Sequence, residues 1–229
     1  MRTIVYSIDT IPDLDFGKKH MNLEGLSDGD IGRSMFFQQL QKQGDELLPI
    51  DLQKIVSISC IVDHNGRNEL YTYTKLEPFI DSIKDADYFI TWNGKQFDFP
   101  VLYFRSLVEH IVINEKMFDE NHNTDLKELL SSGDIISNTG MLNRVSKHLS
   151  LPGKKIDSAN AVWDLYLDDK IDDIFRSCES DVITIYLIYL HHQLSIGVIN
   201  EDELKIKKET LKSFLSSQDN PHTDFIKIL

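Results

Sequence analysis

The sequence has few cysteines, no long apolar run and little positive charge. Its only cysteines are Cys60 and Cys178, and neither has a second cysteine or a histidine at metal-ligand spacing. We therefore expect two buried, reduced thiols in a cytoplasmic protein. No apolar run reaches the ~18 residues that span a membrane, and the chain opens with a strand-like segment rather than a signal peptide. We expect no membrane association.

Basic residues are scarce relative to acidic ones. The sequence has 24 Lys and Arg residues against 37 Asp and Glu residues, a formal net charge of −13 at pH 7. This balance argues against a broad nucleic-acid-binding surface. It does not exclude a nuclease, because a bound divalent metal inverts the local field. Any groove for nucleic acid must then be locally basic. Each basic residue that is a candidate for lining such a groove is alternatively a solvated surface charge. The candidates are Lys95, Arg105, Arg144, Lys147, Lys154 and Lys155.

The organisation of the chain is that of one globular unit. Its 229 residues can bury a full core, and a hydrophobic fraction of 41% is ordinary for a globular protein. We find no repeat, low-complexity tract or interdomain linker, so we expect a single domain over residues 1–229. Residues 13–53 are predicted to be an insertion after the first strand, and residues 198–229 a C-terminal helical extension.

Periodicity and turn signals predict an α/β order of elements. Ser27 is a predicted N-cap, and Asn65-Gly66 is a hairpin turn signal between two strands. Strands are predicted over residues 2–9, 55–62, 70–74 and 87–92, and helices over residues 28–43, 77–84, 97–111, 158–168, 171–195 and 201–217, with another helix capped near Thr139.

The most informative segment is residues 93–98, Asn-Gly-Lys-Gln-Phe-Asp. It follows the apolar strand over residues 87–92, and the Asn-Gly step ends that strand. Helical spacing resumes afterwards, so Asp98 lies near the start of a helix at the end of a strand. That edge of an α/β sheet is where functional sites are built.

The pattern Asn-x-x-x-Phe-Asp resembles the second motif of the DEDD (DnaQ-like) exonuclease superfamily, which includes proofreading domains of family-B DNA polymerases. The chain is similar to the bacterial stand-alone group of predicted 3′–5′ exonucleases that resemble the family-B polymerase domain. This resemblance implies a ribonuclease-H-like three-layer α/β fold, with a mixed sheet flanked by helices. The further segments that carry it, in the expected order, are residues 8–13, 48–49, 124–126, 151–154 and 178–182.

The resemblance also implies a reaction and a set of site residues. Members hydrolyse phosphodiesters from the 3′ end of single-stranded DNA or RNA with two divalent ions, Mg²⁺ or Mn²⁺, held by four acids. Three of those positions are acidic here, and they are implied to be catalytic and metal-binding: Asp9, Asp98 and Asp181. Residues implied to bind the substrate are Asn93, Phe97 and Lys154.

Two positions depart from the family pattern. Ser7-Ile8-Asp9 stands where the family has Asp-Ile-Glu, so the acid expected to bridge both metals is a neutral hydroxyl. Ser177 stands where the family has the tyrosine that orients the attacking water. Tyr186 lies five residues past Asp181 and off that face of the helix, so it is not a substitute. We therefore expect one bound Mg²⁺ or Mn²⁺ rather than two, and reduced or lost hydrolysis.

Several alternatives stay open at this point. Asp125 is either a substitute ligand or the N-cap of the helix that follows it. Phe97 either stacks on a base or packs in the core. The whole chain is either a slow exonuclease or a catalytically inactive module on the same fold that binds nucleic acid or a protein.

Overall fold

The fold is built on one five-stranded mixed sheet. The computed structural model describes residues 1–44, 47–131, 140–156 and 158–229, so the cap predicted near Thr139 lies outside the described residues. The order across the sheet is β3-β2-β1-β4-β5, with β1, β2 and β3 antiparallel and β4 and β5 parallel to β1. The strands are β1 (Arg2–Pro12), β2 (Gln53–His64), β3 (Arg67–Tyr73), β4 (Tyr88–Thr91) and β5 (Asn123–Asp125).

Helices cover both faces of this sheet, and the expected ribonuclease-H-like α/β architecture is confirmed. In the described part of the chain, no helix is long and apolar enough to cross a bilayer. Short 3₁₀ turns lie at Ile50–Leu52, Glu115–Phe118 and Glu120–His122. The α-helices are α1 (Leu14–His20), α2 (Asp28–Gln43), α3 (Leu76–Ile83), α4 (Asp98–Glu109), α5 (Leu126–Ser131), α6 (Met141–His148), α7 (Ala159–Leu167), α8 (Ile171–Ser195), α9 (Glu201–Ser216) and α10 (Thr223–Ile226).

Strand β1 is the centre of the molecule because it pairs on both edges and is covered on both faces. Its side chains alternate between the two faces, as strand geometry requires. Tyr6 and Ile8 pack in the core that also contains residues of α3 and α4. Val5 packs in the core on the other face, which α8 dominates. Residues of β1 are therefore positioned to meet α4 on one side and α8 on the other.

The turn and cap signals in the sequence are confirmed. Asn65 and Gly66 have φ angles of 53° and 74°, the positive values that a two-residue hairpin turn of type I′ requires. The Ser27 hydroxyl accepts a hydrogen bond from the Asp30 N–H at 3.2 Å and so caps α2. Helix α2 then packs closely on α7, since a Cβ added at Gly32 would lie 2.4 Å from the Trp163 ring.

The segment between β1 and β2 holds a helix that the sequence pattern did not predict. The Asp13 carboxylate, at the start of the predicted insertion, accepts a hydrogen bond from the Phe16 N–H at 3.1 Å and caps α1. Strand β5 was also missed, and its three residues pair parallel to β4, with Asp125 opposite Thr91. These two elements place Asp13 and Asp125 at fixed positions near the sheet.

Candidate active site

The first family motif, which is Ser7-Ile8-Asp9 in this chain, lies on the second half of β1. Ser7 and Asp9 point to the same face of the strand because side chains alternate. Asp9 is buried, with 8% of its surface exposed, whereas Ser7 is only partly buried. The β1–β2 register shifts between Asp9 and Thr10, a bulge of the kind often found beside active sites.

The second motif is attached directly to the first. Asp98 is the first residue of α4 and is 5% exposed. Its Oδ1 accepts a hydrogen bond from the backbone N–H of Ile8 at 3.0 Å. The carboxylate predicted from the strand-to-helix pattern therefore reaches the backbone of β1, between Ser7 and Asp9.

The Asn-Gly step of the second motif is required by local geometry. Asn93 has a φ of 67°, in the left-handed region that asparagine tolerates better than most residues. A Cβ on Gly94 would lie 2.2 Å from the Thr91 hydroxyl oxygen, so only glycine lets the loop turn this closely over β4. The Asn93 side chain accepts a hydrogen bond from the Lys127 ammonium at 2.9 Å. Lys127 had not been singled out in the sequence, because nothing in its local pattern marks it.

Asp125 holds this loop in place and caps the next helix. Its Oδ1 accepts hydrogen bonds from the N–H groups of Asn93 at 2.8 Å and Lys127 at 3.0 Å. Its Oδ2 accepts one from the Lys95 N–H at 3.1 Å. The N-cap alternative for Asp125 is therefore confirmed, and the same carboxylate also positions the loop that leads to Asp98.

Replacing Asp125 by alanine is expected to lower the free energy of unfolding by about 2–4 kcal/mol, because three N–H groups lose a buried, charged acceptor. Urea denaturation of the purified variant measures this. The matched control is Asp119→Ala, which removes a capping carboxylate with 42% side-chain exposure and should cost about 1 kcal/mol. Equal losses in the two variants would contradict the positioning role of Asp125.

The third family motif, residues 177–181 in this chain, lies on the long helix α8, which packs across β1 and β2. Ser177 and Asp181 are one turn apart, lie on one face of the helix and are both buried, with 3% exposure each. Between them in sequence, the Cys178 thiol donates a hydrogen bond to the Ser7 carbonyl oxygen at 3.4 Å. Thus α8 brings the third motif against the first.

Tyr186 does not replace the missing tyrosine. Its hydroxyl donates to Asp63 Oδ2 at 2.9 Å and accepts from the Asn68 side chain at 3.0 Å, at the β2–β3 end of the sheet. The expectation that Tyr186 lies off the Asp181 face of α8 is therefore confirmed.

Lys154 enters the site from the loop between α6 and α7. Its Nζ lies 2.7 Å from Asp181 Oδ2. Its backbone N–H donates to the Asn143 side chain, and a Cβ on Gly153 would lie 2.7 Å from that Asn143 oxygen. The Pro-Gly-Lys sequence thus brings the backbone close to α6 and directs Lys154 to Asp181.

Burial and Lys154 together set the charge of the site. Burial raises the pKa of the Asp9 carboxyl to about 6, while the charge of Lys154 lowers it and that of Asp181 raises it. Burial also raises the pKa of Asp98 to about 7, although the hydrogen bond from Ile8 and the charge of Lys154 lower it. Burial disfavours the charged form of Lys154, but the carboxylates of Asp181 and Asp9 outweigh this effect and raise its pKa.

Several of the candidate groove cations are paired with acids in the described part of the chain. Lys95 Nζ lies 2.7 Å from Glu128, and Lys155 Nζ lies 3.5 Å from Asp224. Lys154 pairs with Asp181, as above. Arg105 was expected in a groove, but it is 7% exposed and bonded to Asp13 at 2.8 Å, because it lies on the buried face of α4. The groove expected from the sequence is therefore less basic than predicted.

A comparison with known families identifies the family of this chain. Residues 45–227 match the family of predicted 3′–5′ exonucleases related to the exonuclease domain of PolB. The chain belongs to this family. The matched residues include Asp98, Lys154 and Asp181, whereas Ser7 and Asp9 on β1 precede them. No curated protein matches the chain.

The fold of this exonuclease-family chain is also found in a solved structure. The family B DNA polymerase from the hyperthermophilic archaeon Pyrobaculum calidifontis is similar over 85% of this chain, with a TM-score of 0.52 and 14% sequence identity. The chain corresponds to 24% of that polymerase chain. At this identity the likeness shows the shared fold alone.

The exonuclease family implies divalent ions, and the residues of this chain can be compared with that requirement. Mg²⁺ and Mn²⁺ prefer carboxylate oxygens, and Asp9, Asp98 and Asp181 supply that chemistry. Among the described residues, however, no three Asp, Glu, His or Cys side chains are arranged to hold a metal ion. Ser7 offers a neutral hydroxyl, and Lys154 bonds Asp181. The arrangement seen therefore does not fit a divalent ion.

Half-buried Phe97 packs against the core on the α4 face of the sheet, which is the alternative to a base-stacking role. Its backbone N–H donates to the Asn93 carbonyl oxygen at 3.1 Å and closes the turn before α4. Within the described structure, Asn93 and Phe97 thus have local roles in forming the loop that presents Asp98.

Proposed function

We propose that this exonuclease-family protein binds the 3′ end of single-stranded nucleic acid beside Asp9, Asp98 and Asp181, and that hydrolysis there is slow or lost. The observation that carries the proposal is the hydrogen bond from the Ile8 backbone N–H to Asp98, together with the contact of α8 with the Ser7 carbonyl through Cys178. Asp9 thus lies on the strand, Asp98 is bonded to its backbone, and Asp181 lies on the helix that contacts it. A packing role alone does not explain three buried acids there, because burying an acid is costly.

Reduced hydrolysis follows from the two serines. The Ser7 hydroxyl carries no charge where the family has an acid, so the site lacks a negatively charged ligand. The Ser177 hydroxyl is too short to replace a phenol one turn before Asp181. Divalent ions, if held by Asp9, Asp98 and Asp181, would supply the activation of water and the stabilisation of the leaving oxygen. We propose at most one weakly bound Mg²⁺ or Mn²⁺ here.

The charge distribution supports weak strand binding. The net charge is −13, and Lys95, Lys154 and Lys155 are each paired with an acid. These three lysines are then less available to replace the counterions of a nucleic acid backbone. For single strands, the logarithm of affinity falls with the logarithm of salt concentration by about 0.7 per neutralised phosphate. We expect a shallow slope, typical of a few phosphate contacts.

The proposal is tested with two labelled strands of the same sequence, one linear with a free 3′ hydroxyl and one circular. Fluorescence anisotropy should show tighter binding of the linear strand, because only that strand has an end for the site. Gel analysis of the 5′-labelled linear strand in Mn²⁺ should show little shortening. Equal binding of both strands would contradict recognition of the 3′ end. Binding of neither would favour the protein-interaction alternative.

A further inference from the structure

The cation seen in the acidic site belongs to the protein itself. Lys154 Nζ lies 2.7 Å from Asp181 Oδ2, and the side chains are 32% and 4% exposed respectively. An ammonium at this distance forms a charge-assisted hydrogen bond, the stronger class of such bonds. The buried carboxylate of the third motif is therefore neutralised by a residue from a different segment of the chain.

The backbone holds Lys154 in this position. Its N–H donates to the Asn143 side chain on α6, and Gly153 lets the two segments approach, since a Cβ there would be 2.7 Å from the asparagine oxygen. A long lysine side chain normally loses rotamer entropy when it forms an ion pair. Fixing the backbone beside it limits the number of directions in which the ammonium can extend.

The same ammonium acts on the other two acids. Its charge lowers the pKa of both Asp9 and Asp98, against the larger upward effect of burial. Asp9 Oδ2 is buried and has no hydrogen-bond partner in the described part of the structure. A buried carboxylate oxygen without a partner is costly and favours a nearby cation. In this site the nearby positive charge is Lys154.

We propose that Lys154 is a built-in counter-ion that takes the place of a divalent cation among Asp9, Asp98 and Asp181 and keeps divalent cations out. A divalent ion entering the site would meet a positive charge and would have to displace it from Asp181. Ser7 contributes no charge to offset that repulsion. The inference goes beyond the proposed function, because it concerns cation binding whether or not a strand binds or is cut.

The test is calorimetry with Mn²⁺ on protein stripped with EDTA. Wild-type protein should bind with a Kd of about 1 mM or weaker, the weak end of carboxylate sites. Lys154→Met should bind one ion at least about tenfold more tightly, because the repulsion between +1 and +2 charges ~4 Å apart exceeds a tenfold effect even in water. The melting temperature of the variant should rise with Mn²⁺, whereas that of the wild type should not respond to Mn²⁺ or EDTA.

Two matched variants separate charge from packing. Lys154→Arg keeps the positive charge and should gain no Mn²⁺ affinity. Lys155→Met removes the neighbouring lysine, whose partner Asp224 is exposed, and should behave like the wild type. Adding Asp181→Asn to Lys154→Met should abolish the gained site.

Equal Mn²⁺ affinity in wild type and Lys154→Met would overturn the inference, and so would an equal gain in Lys154→Arg. If Lys154→Met cannot be purified folded, the wild-type protein still decides the matter. A fall in its melting temperature with EDTA would show that a metal, not Lys154, balances the acids. These measurements involve no nucleic acid, so their failure is distinct from failure of the proposed strand binding.

Discussion

Replacing Arg105 by methionine is expected to lower the free energy of unfolding by about 3–5 kcal/mol, the usual cost of removing one partner from a buried ion pair. The guanidinium is bonded to Asp13 Oδ2 at 2.8 Å, with side-chain exposures of 9% and 14%. Its Nε also donates to the Gln53 carbonyl oxygen at 2.6 Å, and a second nitrogen bonds the same oxygen. Methionine keeps the packing of the side-chain stem but leaves a buried carboxylate and a carbonyl without donors.

Urea denaturation at neutral pH measures this loss. Lys54→Met is the matched control, because it breaks the exposed pair with Asp15, in which the atoms are 3.7 Å apart and the side chains 53% and 69% exposed. That change should cost less than about 1 kcal/mol. Asp13→Asn keeps an oxygen that can cap α1 but removes the charge, so Arg105→Met should cost less in that background. A loss under about 1 kcal/mol in Arg105→Met alone would show that the buried pair contributes little.

The position of Arg105 could have been predicted from the sequence. In α4, Asp98, Val101, Leu102 and Arg105 follow the spacing i, i+3, i+4 and i+7, and all four are buried. The expectation of a groove cation at Arg105 rests on its charge and leaves its position on this face out of account. Arg105 lies on the apolar face of the helix that begins at Asp98. An arginine in such a position is better interpreted as a buried partner for an acid, which here is Asp13.

Other features were beyond the reach of sequence patterns. Strand β5 has three residues, Asn-Thr-Asp, with no apolar run, and it exists because β4 offers a parallel edge. Helix α1 contains a glycine that packs on α2, since a Cβ at Gly17 would lie 2.9 Å from Ile31 and Met35. Glycine lowers helix propensity, so local sequence argued against that helix.

The sequence predicts the acids of the site, and that set stays a prediction, but it does not predict how their charges are balanced. The motif order identified Asp98 and Asp181, and the order of elements places them beside β1. For Lys154 the sequence predicts a substrate contact, not an ion pair with an acid of the site. Its contact with Asp181 joins segments that are distant in sequence, and only the packing of α6 and α8 around the site determines it.

The triple variant Ser7→Asp, Asp9→Glu and Ser177→Tyr is expected to degrade single-stranded oligonucleotides from the 3′ end orders of magnitude faster than the wild type. The resemblance implies an acid at residue 7 and a tyrosine at residue 177, which would help to hold divalent ions and to orient the attacking water, and the wild-type chain has serine at both positions. A carboxylate at residue 7 also adds negative charge to the site, which the single positive charge of Lys154 then offsets less completely. Each 1.4 kcal/mol of restored transition-state stabilisation gives about tenfold in rate.

Release of mononucleotides from a 3′-labelled strand in Mg²⁺ or Mn²⁺ measures the gain. Ser7→Asp with Asp9→Glu, or Ser177→Tyr alone, should give little increase in rate, because groups that act as a unit are not additive.

Ser177 is buried, so replacing it by a larger ring tests the packing as well as the chemistry. The same triple variant with phenylalanine at residue 177 has nearly the same volume without the hydroxyl, and it should fold equally well but stay slow. Equal rates in the tyrosine and phenylalanine versions would show that the phenol does not orient the water. A wild-type rate that the triple variant cannot improve would show instead that Asp9, Asp98 and Asp181 suffice for hydrolysis.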